Sequence, residues 1–439
     1  MAEIFQSLAA ELARVDVGVR VGRISAVSGG VLQVTGLQSF ARLGDRVVIH
    51  ADGQKIGGEV LRLSPLCVAV LPDSGGEGLA IGDHVILQGA SSIAPDDSWT
   101  GRIIDAFGNP LDGNPLFCGQ FPRPVRAQAP AATTRRRLGA RLNTGVAVFD
   151  TLLPLVRGQR IGLFAGSGVG KSSLLARFAR GVDADVIVIA LVGERGRELR
   201  EFVERTLGPA GMARSIIVAA TSDQSPLARR RCAWTAMAVA EHFRDQGMQV
   251  LLLVDSVTRF ADAHREVALA GGEEAGMGGF PPSTSALIMG LAERAGPGPE
   301  GKGDITAVFS VLVAGSDMDG TVADILRGVL DGHVVMDRKI AERGRYPAID
   351  LLRSVSRSLP EAANDDENAL IGRARHLLGA YDRAELMIQA GLYVKGSDPL
   401  IDRAIEVWPA LDGFLAELAP PDGISGSFQR LAAILPQAR

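Results

Sequence analysis

The hydrophobic positions of this chain change period along its length, and each change marks a new kind of structure. Residues 3–14, EIFQSLAAELAR, place Ile4, Leu8 and Leu12 at helical spacing with Phe5 and Ala9 beside them, which predicts an N-terminal helix over 1–17. Such a helix either packs on the body of the protein or binds a partner. From 18 to 90 the period shortens. GRISAVSGGVLQVTGL, DRVVIHADG, GGEVLRLSPLCVAVLP and GDHVILQG are short β-type runs broken by Gly, Asp and Pro, the pattern of a small antiparallel barrel. Residues 91–147 are rich in Pro and Gly and read as a connecting segment, with an arginine run at 135–137 expected on a solvated or salt-bridged surface.

From about 148 to 361 strand and helix alternate. IGLF, DVIVIALVG, SIIVAAT, QVLLLVD and DITAVFSVLVAG are apolar on both faces, and amphipathic or apolar helical stretches separate the first four. Strands of that kind belong to a mostly parallel α/β sheet covered on both sides. From 362 to 439 the pattern is helical again. The expectation is therefore an α/β protein: a small β-barrel, a core with a mostly parallel sheet, and a helical C-terminal domain.

Composition narrows this picture. A chain of 439 residues with a net charge of −4 suggests two or three domains and has no global pull toward nucleic acid or membrane. Cys67, Cys118 and Cys232 are odd in number and far apart, which fits a reducing cytosol and neither a disulfide framework nor a zinc site. The six histidines lack metal-ligand spacing, no run of eighteen apolar residues is present, and the opening MAEIFQSLAAELARV does not resemble a secretory leader.

The candidate chemistry centres on Ala165, Gly166, Ser167, Gly168, Val169, Gly170, Lys171, Ser172 and Ser173. The pattern is that of a phosphate-binding loop, G-x-x-x-x-G-K-[ST], with Ala165 in place of the first Gly. Gly166, Gly168 and Gly170 allow a tight turn between a strand and a helix, whose N-terminal N–H groups would cradle phosphates. Lys171 would reach the β and γ phosphates, and Ser172 would ligate Mg²⁺. Ala165 is tolerable if its φ is negative. Asp255, at the end of QVLLLVD, is placed to hold Mg²⁺ through water, or else caps the next turn. Glu194 in LVGERGRE can orient and deprotonate a water, with Arg195, Arg197 and Glu198 as a charged surround; the alternative is a solvated turn. Arg357, which closes SVSR, is a candidate to stabilise charge that develops on a transferring phosphoryl group.

The stretches NTGVAVFDTLLPLVRGQRIGLFAGSGVGKSSLL, VGERGRE, AEHFRDQGMQVLLLVDSVTRFADAHRE, GGFPPS and DGHVVMDRKIAERGRYPAIDLLRSVSR resemble the catalytic ATPases of type III secretion, relatives of the F- and V-type rotary catalytic subunits. The resemblance runs from about 20 to 410, and within it the flagellar export ATPases look most similar. It implies a RecA-like ATPase core and a homohexamer with nucleotide at the subunit interfaces. By this resemblance Glu194 is the catalytic glutamate, Asp255 the Walker B acid, Arg259 an arginine near the phosphates, and Arg197 and Glu198 supporting residues. Tyr346 would stack on adenine, and Arg357 would be an arginine finger given to the neighbouring subunit. Ala165 matches the secretion form of the loop. The acidic DELSEED-type segment of the rotary β subunit is absent. The implied partners are a stator-like regulator, central stalk proteins, export substrates with their chaperones, and the export gate at the inner membrane, from a cytoplasmic position. Flagellar and injectisome systems both stay open. A rotary synthase or pump subunit, a nucleic-acid translocase and a non-catalytic nucleotide-binding scaffold are the other readings. The translocase is disfavoured because Phe40 is the only aromatic residue between 18 and 90.

Overall fold

The computed structural model describes residues 18–313, 318 and 320–436; the expected N-terminal helix lies outside these residues. Six strands, β1 (Arg20–Ser28), β2 (Val31–Thr35), β3 (Arg46–Ala51), β4 (Gln54–Leu63), β5 (Val68–Pro72) and β6 (His84–Gly89), close into an antiparallel barrel in the order β1-β2-β5-β4-β3-β6. Alternation is plainest in β2 and β3, where Leu32, Val34, Val47 and Ile49 point inward and are wholly buried. With Ile24, Val60, Val68, Val70 and Val85 they form a core separate from the rest of the molecule. Closure leaves the barrel without a free strand edge.

The stretch after the barrel contributes β7 (Ser92–Ile93), β8 (Ile103–Asp105) and β9 (Arg123–Pro124). β7 pairs with β9, whereas β8 joins the large sheet by pairing in parallel with a later strand. Residues 103–105 thus do more than connect: they supply an edge strand. In the arginine run, Arg135 donates to the Pro130, Glu293 and Ala295 carbonyls and Arg136 pairs with Asp304, so both pin this segment to the core.

The central sheet is built from β10 (Arg160–Ala165), β11 (Val186–Glu194), β12 (Ser215–Thr221), β13 (Gln249–Asp255), β14 (Gly296–Pro297), β15 (Asp304–Leu312), β16 (Gly332–Met336) and β17 (Ile349–Ser356) together with β8. Its order is β17-β16-β10-β15-β13-β11-β12-β8, with β14 paired to β15 off this path. All neighbours from β16 to β8 run parallel, and β17 is an antiparallel edge. Strand β11 explains the unbroken apolar runs in the sequence. Ile187, Ile189 and Leu191 face one hydrophobic core, and Val186, Val188, Ala190 and Val192 face the other. The helix Pro226–Asp245 lies almost entirely inside the second core, started by Pro226 and capped by Ser225, whose hydroxyl accepts from Ala228 N–H.

Past the sheet the chain is helical: Asp365–Gln389, Pro399–Phe414 and Gly423–Ile434. The first begins with a capping box between Asn364 and Glu367. Among the described residues no helix is long and apolar enough to cross a membrane, and the three cysteines are free.

Candidate active site

The carboxyl ends of β10, β13, β11 and β15 bring the candidate residues together. β10 delivers Ala165, fully buried, with its backbone in register with Leu312 on one side and Met336 on the other. The chain then turns through Gly168 at φ 79° and Gly170 at φ 89°, conformations that glycine adopts without strain. The helix Lys171–Gly181 starts directly afterwards. Among the described residues Asp52 is the only non-glycine with positive φ, so Ala165 has an ordinary backbone and its methyl group carries no conformational penalty.

A cleft of about 1320 Å³ opens over this loop. Residues 165–173 line it, as do Glu194, Arg195, Glu198 and Arg259, whereas Arg197 is exposed outside its lining. Glu194 ends β11, separated from the loop's strand β10 by β15 and β13, and Asp255 ends β13 beside β11 in the parallel register Leu191↔Asp255. Asp255 is buried, and its Oδ1 accepts both the Lys171 ammonium and the Ser310 hydroxyl, the latter at 2.7 Å. The lysine expected to meet phosphates is thus paired with the acid expected to meet metal.

The electrostatics follow from this arrangement. Burial raises the Glu194 carboxyl, and the Asp255 carboxylate raises it further against the opposing pull of Lys171, to about 7. A carboxyl held there sits close to the proton affinity a general base needs at neutral pH. Arg195 and Glu198 pair with each other at 3.1 Å on the rim. Arg259 packs its stem near Gly193 and is half-exposed, 3.8 Å from Asp262. Tyr346 lies with its ring against the loop: a Cβ on Gly170 would come 3.0 Å from Tyr346 Cδ1. Arg357 follows the edge strand β17, is exposed, donates to the Arg327 carbonyl at 3.2 Å, and is not part of this chain's cleft lining.

Several cleft residues escaped the sequence reading. Arg229 forms a two-pronged pair with Glu266 at the cleft, and Thr258 Oγ1 accepts from Leu312 N–H. Lys339 and Arg353 line the same space. Ser310 had a legible signal, a hydroxyl inside the apolar run AVFSVLV. For Arg229 and Arg353 the chain holds too many arginines for any one to stand out.

Among the described residues no group of three or more His, Cys, Asp and Glu side chains converges as a metal cage. The donor set at the loop nevertheless suits a hard cation. The Ser172 hydroxyl faces the cleft and the Asp255 carboxylate stands behind it, few protein oxygens in all, as for an ion that takes most of its ligands from phosphate and water.

Comparison with known proteins fixes the family. Residues 145–356 match the model of the ATP synthase alpha/beta family nucleotide-binding domain, and residues 363–417 match the T3SS EscN ATPase C-terminal domain. The chain is 43% identical to a flagellum-specific ATP synthase of Caulobacter vibrioides, over 98% of this chain and 99% of that one. It is 44% identical to a type 3 secretion system ATPase of Pseudomonas syringae pv. tomato, over 91% and 90%. The assembled ATPase EscN from the enteropathogenic E. coli type III secretion system superimposes with a TM-score of 0.86 at 36% identity, covering 93% of this chain and all of that one. EscN in complex with its central stalk EscO gives 0.85 at 36% identity, covering 94% and 99%. By sequence along nearly its whole length and by fold, the chain belongs to the flagellar and type III secretion ATPases of the ATP synthase alpha/beta family.

Proposed function

We propose that this protein hydrolyses ATP to ADP and phosphate and that the hydrolysis energises protein export through a flagellar type III secretion apparatus. The observation that carries the reading is the meeting of Lys171, at the start of the helix that the glycine loop opens, with Asp255 and Glu194 at the ends of the neighbouring parallel strands β13 and β11. The loop N–H groups and Lys171 hold the triphosphate, and Lys171 leaves Asp255 to do so. Mg²⁺, held by Ser172 with Asp255 behind it, would neutralise charge on the phosphate oxygens. Glu194 takes a proton from a water, whose oxygen bonds to the γ-phosphorus as the bond to the ADP oxygen breaks. Arg259 sits over the phosphates, and Tyr346 packs against the base. Arg195, Arg197 and Glu198 keep the Glu194 turn in place. Arg357, on an exposed edge away from its own loop, serves the site of the next subunit in a homohexamer.

Placement follows from the same reading: in the cytoplasm, at the periphery of the inner membrane beside the export gate, with a stator-like regulator, a central stalk protein, and export substrates with their chaperones as partners. The EscN–EscO complex of the similar protein supports the stalk among these. The test is phosphate release from Mg²⁺–ATP by the purified chain. Turnover is expected in the wild type and lost in Lys171→Ala and Glu194→Gln; full turnover in Glu194→Gln would remove this mechanism. Mixing Arg357→Ala with Glu194→Gln subunits should restore part of the activity if the arginine acts across an interface.

An injectisome role is the second reading, because flagellar and injectisome relatives match at the same 42–44% identity. Deleting the gene separates the two: loss of swimming supports the flagellar role, and loss of effector secretion with intact swimming supports the other.

A further inference from the structure

The loop that places Tyr346 against Gly170 is tied to the C-terminal helices from both sides of Gly344. Arg343 pairs with Glu385 of the helix Asp365–Gln389 at 2.6 Å. Arg345 forms an ion pair with Asp412 of the helix Pro399–Phe414, with Nε 2.9 Å from Oδ1 but not aligned for a hydrogen bond. The two arginines differ in setting. Arg343 is partly exposed, whereas Arg345 is buried, with its side chain only 8% accessible. The buried guanidinium also reaches back to its own loop, where Nη2 donates to the Ile349 carbonyl at 2.8 Å and Nη1 to the Pro347 carbonyl at 3.4 Å. One planar group thus binds the backbone on the far side of Tyr346 and a carboxylate of the next domain at once. A crevice of about 280 Å³ lies between the core and these helices, walled by Arg345, Asp412 and the stacked rings of Tyr381 and Trp408, whose centroids are 4.6 Å apart.

We infer that Arg345 is a positioning residue: with Asp412 it holds Tyr346 against the phosphate loop and sets the affinity of the cleft for the aromatic-base end of a nucleoside triphosphate. The argument is geometric. Tyr346 is half-exposed, and its ring lies against Gly170. The residues on either side of it carry the constraint. A lysine at 345 keeps the charge but loses the fork that engages Asp412 and two carbonyls together. The phosphate loop does not depend on Arg345, because its geometry comes from Gly168, Gly170 and the register of β10.

The inference rests on the proposed ATP site, and turnover by the wild-type chain is the control that keeps the two apart. Steady-state hydrolysis is measured for Arg345→Lys and Asp412→Asn in the full chain, beside inhibition by inorganic tripolyphosphate, which has no base. The expected result is a rise of about five- to tenfold in KM for ATP, the scale of one lost ordinary hydrogen bond, with kcat within about twofold and tripolyphosphate inhibition unchanged. In a Tyr346→Ala background either change should add little further. Unchanged KM in both variants overturns the inference, as does a parallel loss of tripolyphosphate inhibition, which would place the effect at the phosphate loop. Asp412 is partly exposed, so Asp412→Asn keeps the test decisive if Arg345→Lys fails to fold. A wild type that does not turn over ATP overturns the reading beneath, and with it this one.

Discussion

Two buried groups of charged residues lie in the same core and behave in opposite ways. At the cleft, Lys171 pairs with Asp255, while burial and the Asp255 carboxylate push the Glu194 carboxyl up to about 7. At the seam between barrel and core, the charged groups are linked to one another by hydrogen bonds. Glu59 of the barrel accepts from Arg126 at 2.7 Å and from Arg230 at 2.8 Å. Arg230 can only donate, so His264 Nδ1 accepts from it, and Nε2 donates to Ser283 Oγ at 2.8 Å. The Ser283 hydroxyl then donates to Glu273 at 2.6 Å. The chain of bonds runs from Glu59 of the barrel to Glu273 of the core, so it serves to hold elements together. The cleft instead gathers Lys171, Arg195, Arg229, Arg259, Lys339 and Arg353 around its glycine loop, an excess of cations suited to an anionic ligand.

The comparison can be broken at its strongest points first. Glu194→Gln should lower kcat by about 10²–10⁴-fold, as loss of a general base does, while the chain still binds ATP; phosphate-release and equilibrium nucleotide-binding measurements check both halves. Glu59→Ala leaves Arg230 buried without its partner and should cost about 3–5 kcal/mol in urea unfolding, the usual cost of breaking a buried ion pair. If the cleft variant proved the more destabilised of the two, the contrast between a working site and a structural one would be reversed.

Protonation sharpens the contrast. Burial, helped by the Arg230 guanidinium, lowers His264 from 6.5 to about 4. The unfolded chain therefore takes up a proton first on acidification. The His264 share of stability is whole above about 6.5 and is lost as the pH falls from there toward 4. Glu194 runs the other way. Its folded carboxyl holds a proton that the unfolded chain gives up above about 4.5, so it detracts from stability as the pH rises toward 7. Thermal unfolding across this range should show His264→Gln flattening the acid limb and Glu194→Gln gaining stability relative to wild type above pH 7. Hydrolysis by the wild type should climb as the pH passes upward through about 7, where the base becomes free. The smallest effect belongs to the loop itself: Ala165→Gly should lose about 0.5–1 kcal/mol in the same unfolding measurement, because glycine loses more backbone freedom at an ordinary strand φ.

What could be read from the chain and what could not divide along these same lines. Loop, strand and helix around Lys171 are local, and Glu194 and Asp255 each close an apolar run, so period and punctuation locate them. The barrel was visible because its strands follow one another with turn residues between. The seam was not, because Glu59 and Arg230 are 171 positions apart and neither looks unusual where it stands. Strand β8 was missed for a related reason. Three residues in a Pro- and Gly-rich stretch have no period, and only pairing with β12 makes them a strand. Burial of Ser310 behind Asp255 is likewise a fact of neighbouring strands rather than of neighbouring residues.

The pairing of β8 with β12 also has a timetable. Ile103 lies opposite Ile217, so the edge strand leaves the ribosome more than a hundred residues before the strand it must join. At a synthesis rate of about 5–20 residues per second, that is a wait of roughly 6–20 s. The barrel has no such delay, because all six of its strands come from one contiguous stretch between Arg20 and Gly89 and bury a core of their own. During synthesis the barrel can be finished while the segment after it is still unpaired, a tether between a completed module and a sheet not yet made.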